Sequence, residues 1–364
     1  MPSIRFPNSP HLKDLSIEEL FEISLVSQHT HALVKNTLLS NPRDMYRFEV
    51  SLLSSQSVRA VKMPNFYNRL DDVVEVVWHF YNEQDPKRQE LVDVKETRAV
   101  RVFYRAPLVF AKLARNQYAL SCDSIQDVLL FVHYLCSLFN VNVSDLTVGR
   151  NQIQHLEAIQ SIEPLRKSRQ IHIKKMTVSH DEMIRILEGF VVAQKMKISC
   201  DPGPNFMYNK PICMANFQNF TGSWVRGPML LNLRVAHLTV YNPLLTEEDV
   251  IEFLKRELTN CIFCGKIKTA IFHKRTSGSR GPIYENENPG TWDLEKITNA
   301  LSSYEQKENV QMARYNLKTV WTRNRKNFID IVTCSDMPSY LALAKNGSIV
   351  EAWRPRAAPA FQFF

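Results

Sequence analysis

The spacing of apolar residues predicts two short helices near the start of the chain. In LSIEELFEISLVSQHTHALVK, residues 15–35, Ser16 and Glu19 have the spacing of a capping box, so a helix is expected to begin at Ser16. Apolar side chains then recur at intervals that place them approximately on one face of the helix. The apolar residues of 27–39 predict a second helix. Taken alone, this pattern favours a helical hairpin that packs on its own domain.

A β-rich stretch and then an alternation of strands and helices are predicted downstream. Residues 46–63 predict a β-hairpin, because apolar residues partly alternate on both sides of a Ser-rich turn, and 98–105 is a further strand candidate. After about residue 120, short strands alternate with helices. The expected elements are, in order, a helix begun by Ser124 with Asp127, a strand over 143–148, a helix over 151–162, a strand over 168–178, a helix over 179–191, a strand over 193–199, a Pro/Gly-rich loop, a helical or turn segment leading to Trp224, a strand over 235–241, a helix capped by Thr246 with Asp249, and a strand over 266–274.

The alternation repeats in units of roughly 25 to 30 residues, each too small to cover its apolar face alone. Stacking of such units builds a parallel sheet. The predicted fold class is therefore α/β, with a short N-terminal helical segment, a β-rich connector and an irregular strand-helix solenoid similar to leucine-rich-repeat proteins. The LxxLxLxxN consensus of those repeats is absent from the sequence.

Composition argues against a membrane-embedded or disulfide-stabilised chain. The 364 residues contain no apolar run of about 18 residues, and the N-terminus has no continuous apolar core of a secretory signal. Seven cysteines without a framework spacing favour a reducing compartment, so we expect an intracellular protein, cytoplasmic or nuclear. The net charge of +8 permits acidic partners or nucleic acid, but in a chain of this length it is more often general surface charge.

The segment 15–35 resembles the second and third helices of an F-box, the module by which substrate receptors bind the Skp-family adaptor of a cullin-RING ubiquitin ligase. IRFP at 4–7 is similar to the Phe-Pro start common in the large nematode F-box family. That family usually carries a Leu-Pro pair and a full apolar helix between these parts, where only residues 8–14 stand here, so a truncated F-box is expected. The family pattern implies these adaptor-facing residues: Leu15, Leu20, Phe21, Leu25 and Val26.

Residues 217–275 resemble the F-box-associated domain, type 2, which accompanies the F-box in nematode proteins. The similarity rests on the strand HLTVYN at 237–242, on the FLK run at 253–255 and on the individual matching residues given at the end of this paragraph. The family usually continues with a Trp-Ile pair and a Gly-rich turn, where this chain has TNCIFCG at 259–265. The residues that match the family motif are Trp224, Leu230, Leu238, Thr246, Asp249, Phe253 and Leu254.

Together the resemblances imply a substrate-recruiting subunit of a Skp/cullin-RING (SCF) ubiquitin ligase. The F-box-like segment would bind the Skp-family adaptor and through it a cullin, while the F-box-associated domain would bind a substrate protein of unknown identity and raise its effective concentration near the ubiquitin-carrying enzyme. One alternative is a solenoid protein-binding module that has lost adaptor docking and acts outside the ligase. Another is a nucleic-acid-binding protein that uses the +8 charge.

The expected organisation has four parts. They are a partial F-box-like helical segment at 1–42, a β-rich connector at 43–115, the F-box-associated domain at 116–355 and a C-terminal tail at 356–364.

Motifs for catalysis, metals and cofactors are weak in this sequence, so we expect a protein that is not an enzyme and needs no cofactor. Cys261 and Cys264 have CxxC spacing, but they follow a helix and precede a strand, whereas a redox pair starts a helix. Only His273 lies near them as a third zinc ligand. His29 and His31 would project to different sides of a helix and cannot form a metal-binding pair.

Two polar stretches also bear on binding. In RKSRQIHIKK at 166–175, Ile171 and Ile173 alternate with polar and basic residues, which predicts a half-buried strand with a solvated basic face. The alternative is that this segment binds phosphate or an acidic partner. Residues 275–290, rich in Gly, Ser and Asn without the order of a phosphate loop, predict an exposed loop.

Overall fold

The chain folds into two compact units in the computed structural model. The structure describes residues 12, 15–40, 46–62, 73–81, 97–100, 108–192, 194–203, 205–219, 224–242, 244–259, 267–274, 290–306, 310–312, 315–321, 328–334 and 337–345. Unit 1 comprises Met1–His172 and Glu188–Ala193, and unit 2 comprises Ile173–Leu187 and Gln194–Phe364. The predicted helical segment, the predicted connector and the beginning of the predicted 116–355 domain therefore belong to one unit.

Unit 1 begins with the two predicted helices, α1 at Ile17–Ser24 and α2 at Gln28–Ser40. The predicted capping box at Ser16 is confirmed: the Glu19 amide donates to Ser16 Oγ at 3.2 Å, and the Ser16 amide donates to Glu19 Oε2 at 2.7 Å. These bonds satisfy amides that the first turn of a helix leaves without partners. Helix α1 contacts α2, so the two form a helical hairpin.

A mixed sheet follows the two helices in unit 1. Its strands are β1 Tyr46–Leu52, β2 Gln56–Lys62, β3 Val73–Tyr81, β4 Thr97–Val100, β5 Leu108–Ala114, β6 Gln117–Ser121 and β7 Val143–Val148. The described pairings give the order β4-β5-β6-β3-β2-β1-β7, in which β3 with β6 and β1 with β7 are parallel and the other pairs antiparallel. The predicted hairpin over 46–63 is confirmed, since β1 and β2 pair antiparallel with Phe48 opposite Ala60.

Helix α3, Ile125–Phe139, joins α1 and α2 in unit 1 and contacts α2. It starts as predicted at Ser124, whose amide donates to Asp127 Oδ2 at 3.0 Å, and it ends at Asn140, whose φ of 52° is the left-handed conformation that Asn tolerates best after Gly. A 3₁₀ turn at Arg150–His155 and helices α4, Leu156–Ser161, and α5, Glu163–Arg166, follow β7.

Phe21 of α1 lies at the centre of the unit 1 core. Its ring makes edge-to-face contacts with Trp78, Tyr118 and Phe131, with centroid distances of 5.4, 5.3 and 6.1 Å. Such pairs contribute about 0.5–1.5 kcal/mol each beyond the area they bury. Trp78 is on β3, Tyr118 on β6 and Phe131 on α3, so one side chain joins four elements.

The polar face of α1 is also tied to the unit 1 sheet. Lys112 Nζ on β5 lies 2.9 Å from Glu18 Oε1 and 2.7 Å from Glu22 Oε1, and the Tyr118 hydroxyl donates to Glu22 Oε1 at 2.8 Å. Hydrogen bonds from Lys112 to Glu22 and Glu18 raise the pKa of that lysine. Helix α1 is therefore held to the unit 1 sheet both by its apolar face, through Phe21, and by its polar face, through Glu18 and Glu22.

Strand β8, Gln170–Thr177, carries the chain from unit 1 into unit 2. The next elements are α6 His180–Gly189, β9 Lys195–Asp201, β10 Ile212–Asn219, α7 Pro228–Asn232, β11 Leu233–Tyr241, α8 Glu247–Thr259, β12 Thr269–His273, α9 Leu294–Asn299, β13 Glu305–Gln306, β14 Val310–Met312, β15 Tyr315–Trp321, β16 Phe328–Cys334 and β17 Met337–Lys345. Strands β9, β10, β11 and β12 are parallel neighbours in chain order. Strand β17 then pairs antiparallel with β12, β16 with β17 and β15 with β16, while β13 and β14 pair with β15.

The segment that leads to Trp224 differs from the prediction. A helical or turn segment was expected there, whereas residues 212–219 form β10. Ile212, Phe217 and Asn219 are buried, so the buried positions do not keep one alternation along the strand, and the regular apolar alternation that marks β-structure is missing. After α9, beyond the last element predicted from the sequence, the described strands pair antiparallel.

The α/β class is thus confirmed. Among the described residues, every helix is too short or too polar to cross a membrane.

We predict that Phe21→Ala lowers the free energy of unfolding by about 3–5 kcal/mol, because a cavity would open among four packed elements. Val26→Ala is the control: Val26 is 67% exposed just after α1, so its truncation should change stability by less than about 0.5 kcal/mol. Urea unfolding followed by tryptophan fluorescence measures both. Equal stabilities of the two variants would contradict the core position of α1.

Candidate functional site

The carboxyl ends of β9, β10 and β11 meet at one edge of the unit 2 sheet. In open α/β sheets, ligands bind in the crevice outside the carboxyl ends of the strands. A cavity of about 280 Å³ lies at this edge, lined by segments that follow each of the three strands. We call it the carboxyl-end cavity. Its lining residues are Phe206, Met207, Tyr208, Asn209, Trp224, Arg226, Gly227, Pro228, Met229, Leu244, Thr246 and Asp249.

Trp224 is a rigid, buried part of the cavity wall. Its indole Nε1 donates to the Cys200 carbonyl at 3.2 Å, and its ring meets Phe206 and Phe217 edge-to-face at centroid distances of 5.7 and 6.1 Å. A buried indole needs a partner for its N–H, and the carbonyl at the end of β9 supplies one. Trp224 thus joins the segment before α7 to the ends of β9 and β10.

Asp249 fixes the loops on the other side of the cavity. Its Oδ1 accepts from the Gly227 amide at 2.8 Å, and its Oδ2 accepts from the Thr246 amide at 2.9 Å and from Thr246 Oγ1 at 3.0 Å. The Asp249 amide donates back to Thr246 Oγ1 at 3.2 Å, which confirms the predicted cap of α8. One carboxylate therefore caps α8 and holds the backbone just before α7.

Gly227 accepts a backbone conformation that other residues avoid. Its φ of +47° lies in the left-handed region, and a Cβ at this position would come within 3.4 Å of Asp249 Oδ1. The sharp turn brings the Gly227 amide to the carboxylate.

Asn242 supports the cavity from behind its lining, a role that was not predicted from the sequence. It is fully buried, its Nδ2 donates to the Val225 carbonyl at 3.2 Å, and its Oδ1 accepts from the Leu244 amide at 2.8 Å. An Asn that precedes a proline is a turn signal, and this signal was present in HLTVYNP. Asn242 orients the loop that carries Leu244.

The rim of the carboxyl-end cavity is apolar and accessible. Met207 is 62% exposed and Leu244 is 49% exposed, on the loops after β9 and β11. Five large apolar side chains are exposed in the described part of the chain, and these two line the same cavity. Neither residue was predicted as part of a site, because an apolar residue in a loop carries no periodic signal.

The predicted family-motif residues all fall in unit 2, in two groups. Trp224, Thr246 and Asp249 line the carboxyl-end cavity. Leu230, Leu238, Phe253 and Leu254 are buried beneath it, and Phe253 packs edge-to-face on Phe272 of β12 at a centroid distance of 5.6 Å.

The predicted adaptor-facing residues differ in exposure. Leu20 and Phe21 are each only 1% exposed and belong to the core of unit 1, so they would have to leave that core to contact an adaptor. Leu15 and Leu25 are half-buried, and Val26 is exposed. The helical pattern predicted the right face as apolar, but the partner of that face is the sheet of the same unit.

The cysteines and histidines considered in the sequence analysis form no described reactive or metal-binding group. Cys261 and Cys264 lie outside the described residues, as do residues 275–289 of the predicted loop. His31 packs against Tyr134 at a centroid distance of 5.2 Å, and burial followed by the charge of Lys35 lowers its pKa. The described part of the chain holds no group of three or more His, Cys, Asp or Glu side chains suited to a metal ion.

Comparisons with known proteins leave the family open. No family model, curated protein or solved structure matches this chain.

We predict that Asp249→Ala lowers the free energy of unfolding of unit 2 by about 1–3 kcal/mol, because the Gly227 and Thr246 amides lose their acceptor. Glu252→Ala is the matched control, since Glu252 is an exposed carboxylate on the same helix and should change stability by less than about 0.5 kcal/mol. Hydrogen exchange provides the local measurement: the Gly227 and Thr246 amides should exchange faster in Asp249→Ala alone. Unchanged exchange at both amides would contradict the assigned role.

Proposed function

We propose that this chain is a protein-interaction module of the F-box-associated kind, which binds a partner protein at the carboxyl-end cavity of unit 2. The observation that carries the proposal is the pair Met207 and Leu244. Two exposed apolar side chains flank a cavity whose wall contains the rigid indole of Trp224. Buried aromatic anchors surrounded by apolar side chains are typical of the centre of a protein interface.

The size of the cavity favours a side chain of a partner over a free small molecule. Its volume of about 280 Å³ lies at the lower limit of ligand pockets, which begin near roughly 300 Å³. An aromatic or long aliphatic side chain would contact Trp224 inside and Met207 and Leu244 at the rim. Burial of such a side chain contributes about 1.5–3 kcal/mol.

Binding rather than catalysis is the proposed activity. Both oxygens of Asp249, the carboxylate in the cavity lining, already accept hydrogen bonds from backbone amides and a hydroxyl. Burial, followed by the charges of Glu182 and Asp201, raises the pKa of the nearby Cys200 thiol to about 12, so that sulfur stays protonated at neutral pH. The hydrogen bonds of Asp249 and the protonated state of Cys200 therefore support a structural role for both residues, which is to maintain the shape of the cavity.

A curved strand-helix solenoid is our proposed description of unit 2. Its support is that β9 to β12 are parallel neighbours in chain order, with α7 and α8 between successive strands. This arrangement is the one expected when repeats stack and each covers the apolar face of the next.

Docking to a Skp-family adaptor, and through it to a cullin, is a second candidate function. The observation in its favour is the turn between α1 and α2, where Val26 is exposed and Leu25 is half-buried. A docking surface there would use Leu15, Leu25 and Val26. In that case the chain would act as the substrate-recruiting subunit of an SCF ubiquitin ligase; otherwise it would bind its partner outside the ligase.

The partner-binding proposal is tested by selecting peptides from a displayed library against the full chain. We expect enrichment of peptides with an aromatic or long aliphatic residue, and Met207→Asp with Leu244→Asp should weaken their binding at least about tenfold. Val191→Asp is the matched control, because Val191 is a 58% exposed valine of unit 1 and its change should leave affinity intact. Selected peptides that bind the double variant as well as the wild type would refute the cavity as the site.

Adaptor docking is tested with purified Skp-family adaptor and the full chain by biolayer interferometry. If the second candidate holds, Val26→Asp weakens binding about tenfold, whereas Val191→Asp does not. Leu20 is unsuitable for this test, because a charge in the core would unfold unit 1. Absence of adaptor binding to the folded wild-type chain would leave the partner-binding function outside the ligase.

A further inference from the structure

The sulfur-containing side chains in and behind the wall of the carboxyl-end cavity differ in burial. Cys200 is fully buried at the end of β9, where its carbonyl accepts the indole N–H of Trp224. Met229, on α7, lines the cavity and is 4% exposed, whereas Met207 lines the same cavity and is 62% exposed. Among Cys200, Met229 and Met207, the sulfur that a small solute can reach is therefore the one of Met207.

The loop after β9 holds the Met207 side chain outward. Its two neighbours in the chain, Phe206 and Tyr208, are both buried. The ring of Phe206 packs edge-to-face on Trp224, and on His180 of α6 at a centroid distance of 5.5 Å. Because the rings on either side of Met207 are fixed in the core, the side chain between them projects to solvent at the rim. The accessibility of this sulfur thus follows from the fold of the loop.

An accessible thioether reacts with a peroxide. A lone pair of the sulfur attacks one oxygen of hydrogen peroxide, so an S–O bond forms and the O–O bond breaks. The proton of the transferred oxygen passes to the departing hydroxide, and the products are methionine sulfoxide and water. The sulfur loses two electrons and the peroxide gains them. Methionine sulfoxide reductases, which draw their electrons from thiols, convert the sulfoxide back to the thioether.

Oxidation at Met207 would change the surface that a partner side chain has to cross. The thioether is apolar and makes favourable contacts with aromatic rings. The sulfoxide carries a polar oxygen, and burying it without a hydrogen bond is unfavourable. Leu244, the other exposed rim residue, has no donor in its side chain. A partner side chain that is held between these two residues would therefore bind the reduced rim better than the oxidised one.

The other sulfurs near the cavity are protected or lie elsewhere. Burial, as the first cause, raises the pKa of the Cys200 thiol to about 12, so the reactive thiolate form is scarce at neutral pH. Met229 is covered by the cavity wall. Cys213 is exposed, but it is the second residue of β10 and lies at the amino end of that strand, away from the cavity. A response of the cavity to peroxide is thus assigned to Met207.

We propose that Met207 is a reversible oxidation site and that formation of its sulfoxide weakens partner binding at the carboxyl-end cavity. This inference rests on the partner-binding function proposed above and adds a regulation to it. The oxidant is of the peroxide class, and the reductant is a thiol-dependent methionine sulfoxide reductase. The reduced chain is the binding form.

The modification is tested first, on the folded full chain. The protein is exposed to hydrogen peroxide for increasing times, treated with dithiothreitol to restore reversibly oxidised thiols, and digested for mass spectrometry. We expect the sulfoxide to form at Met207 at least about tenfold faster than at Met229, because access to the sulfur limits the reaction. In the denatured chain the two rates should be similar. Equal rates in the folded chain would overturn the assignment of the site.

The effect on binding is measured with a peptide selected against the reduced chain. Oxidation of the wild type should weaken binding about tenfold, and treatment with the two sulfoxide reductases, one for each epimer, should restore it. Met207→Leu keeps an apolar rim residue of similar size, so it should bind within about threefold of the wild type and lose the response to peroxide. Met229→Leu is the matched control and should retain the response.

Failure of this inference is distinguishable from failure of the partner-binding function. Unchanged affinity after complete oxidation of Met207, or an equal loss of affinity in peroxide-treated Met207→Leu, would overturn the regulation alone. If the reduced chain selects no peptide that depends on Met207 and Leu244, the partner-binding function is refuted and the regulation with it. The first failure is observed in the oxidised chain and the second in the reduced chain.

Discussion

The burial of Phe21 is the contact on which the organisation of unit 1 depends. Its ring contacts both strands of the parallel β3–β6 pair and the helix α3, so α1, the sheet and α3 share one aromatic core. Glu18 and Glu22 hold the polar side of α1 to Lys112 and Tyr118 of the same sheet. A helix fastened on both sides cannot give its apolar face to a partner without losing this core. Helix α1 is therefore part of a folded unit, and the large apolar residue that the described segment leaves exposed at the end of α1 is Val26.

In unit 2, a single carboxylate has a comparable organising role. Asp249 caps α8 and at the same time holds the Gly227 amide, while Asn242 and Trp224 each bind a carbonyl of a different loop or strand end. Loops with their polar groups satisfied in this way keep a fixed shape, and a fixed shape is what allows Met207 and Leu244 to remain exposed without collapsing into the core. The polar network and the apolar rim are thus two aspects of one cavity.

The helix starts were predictable because capping is local. Ser16, Ser124 and Thr246 each sit three residues before an acidic side chain, and each cap is present in the structure. Strand β10 was not predictable in this way, since its apolar residues do not alternate regularly with polar ones and its second half contains Asn216, Gln218 and Asn219. The partner of α1 was not predictable either. An amphipathic helix has the same pattern whether its apolar face meets an adaptor or its own sheet, and the choice is made by Trp78 and Phe131, which lie far away in the chain. Likewise, no periodicity marks Leu244 as a rim residue, because its exposure results from the Asn242 turn.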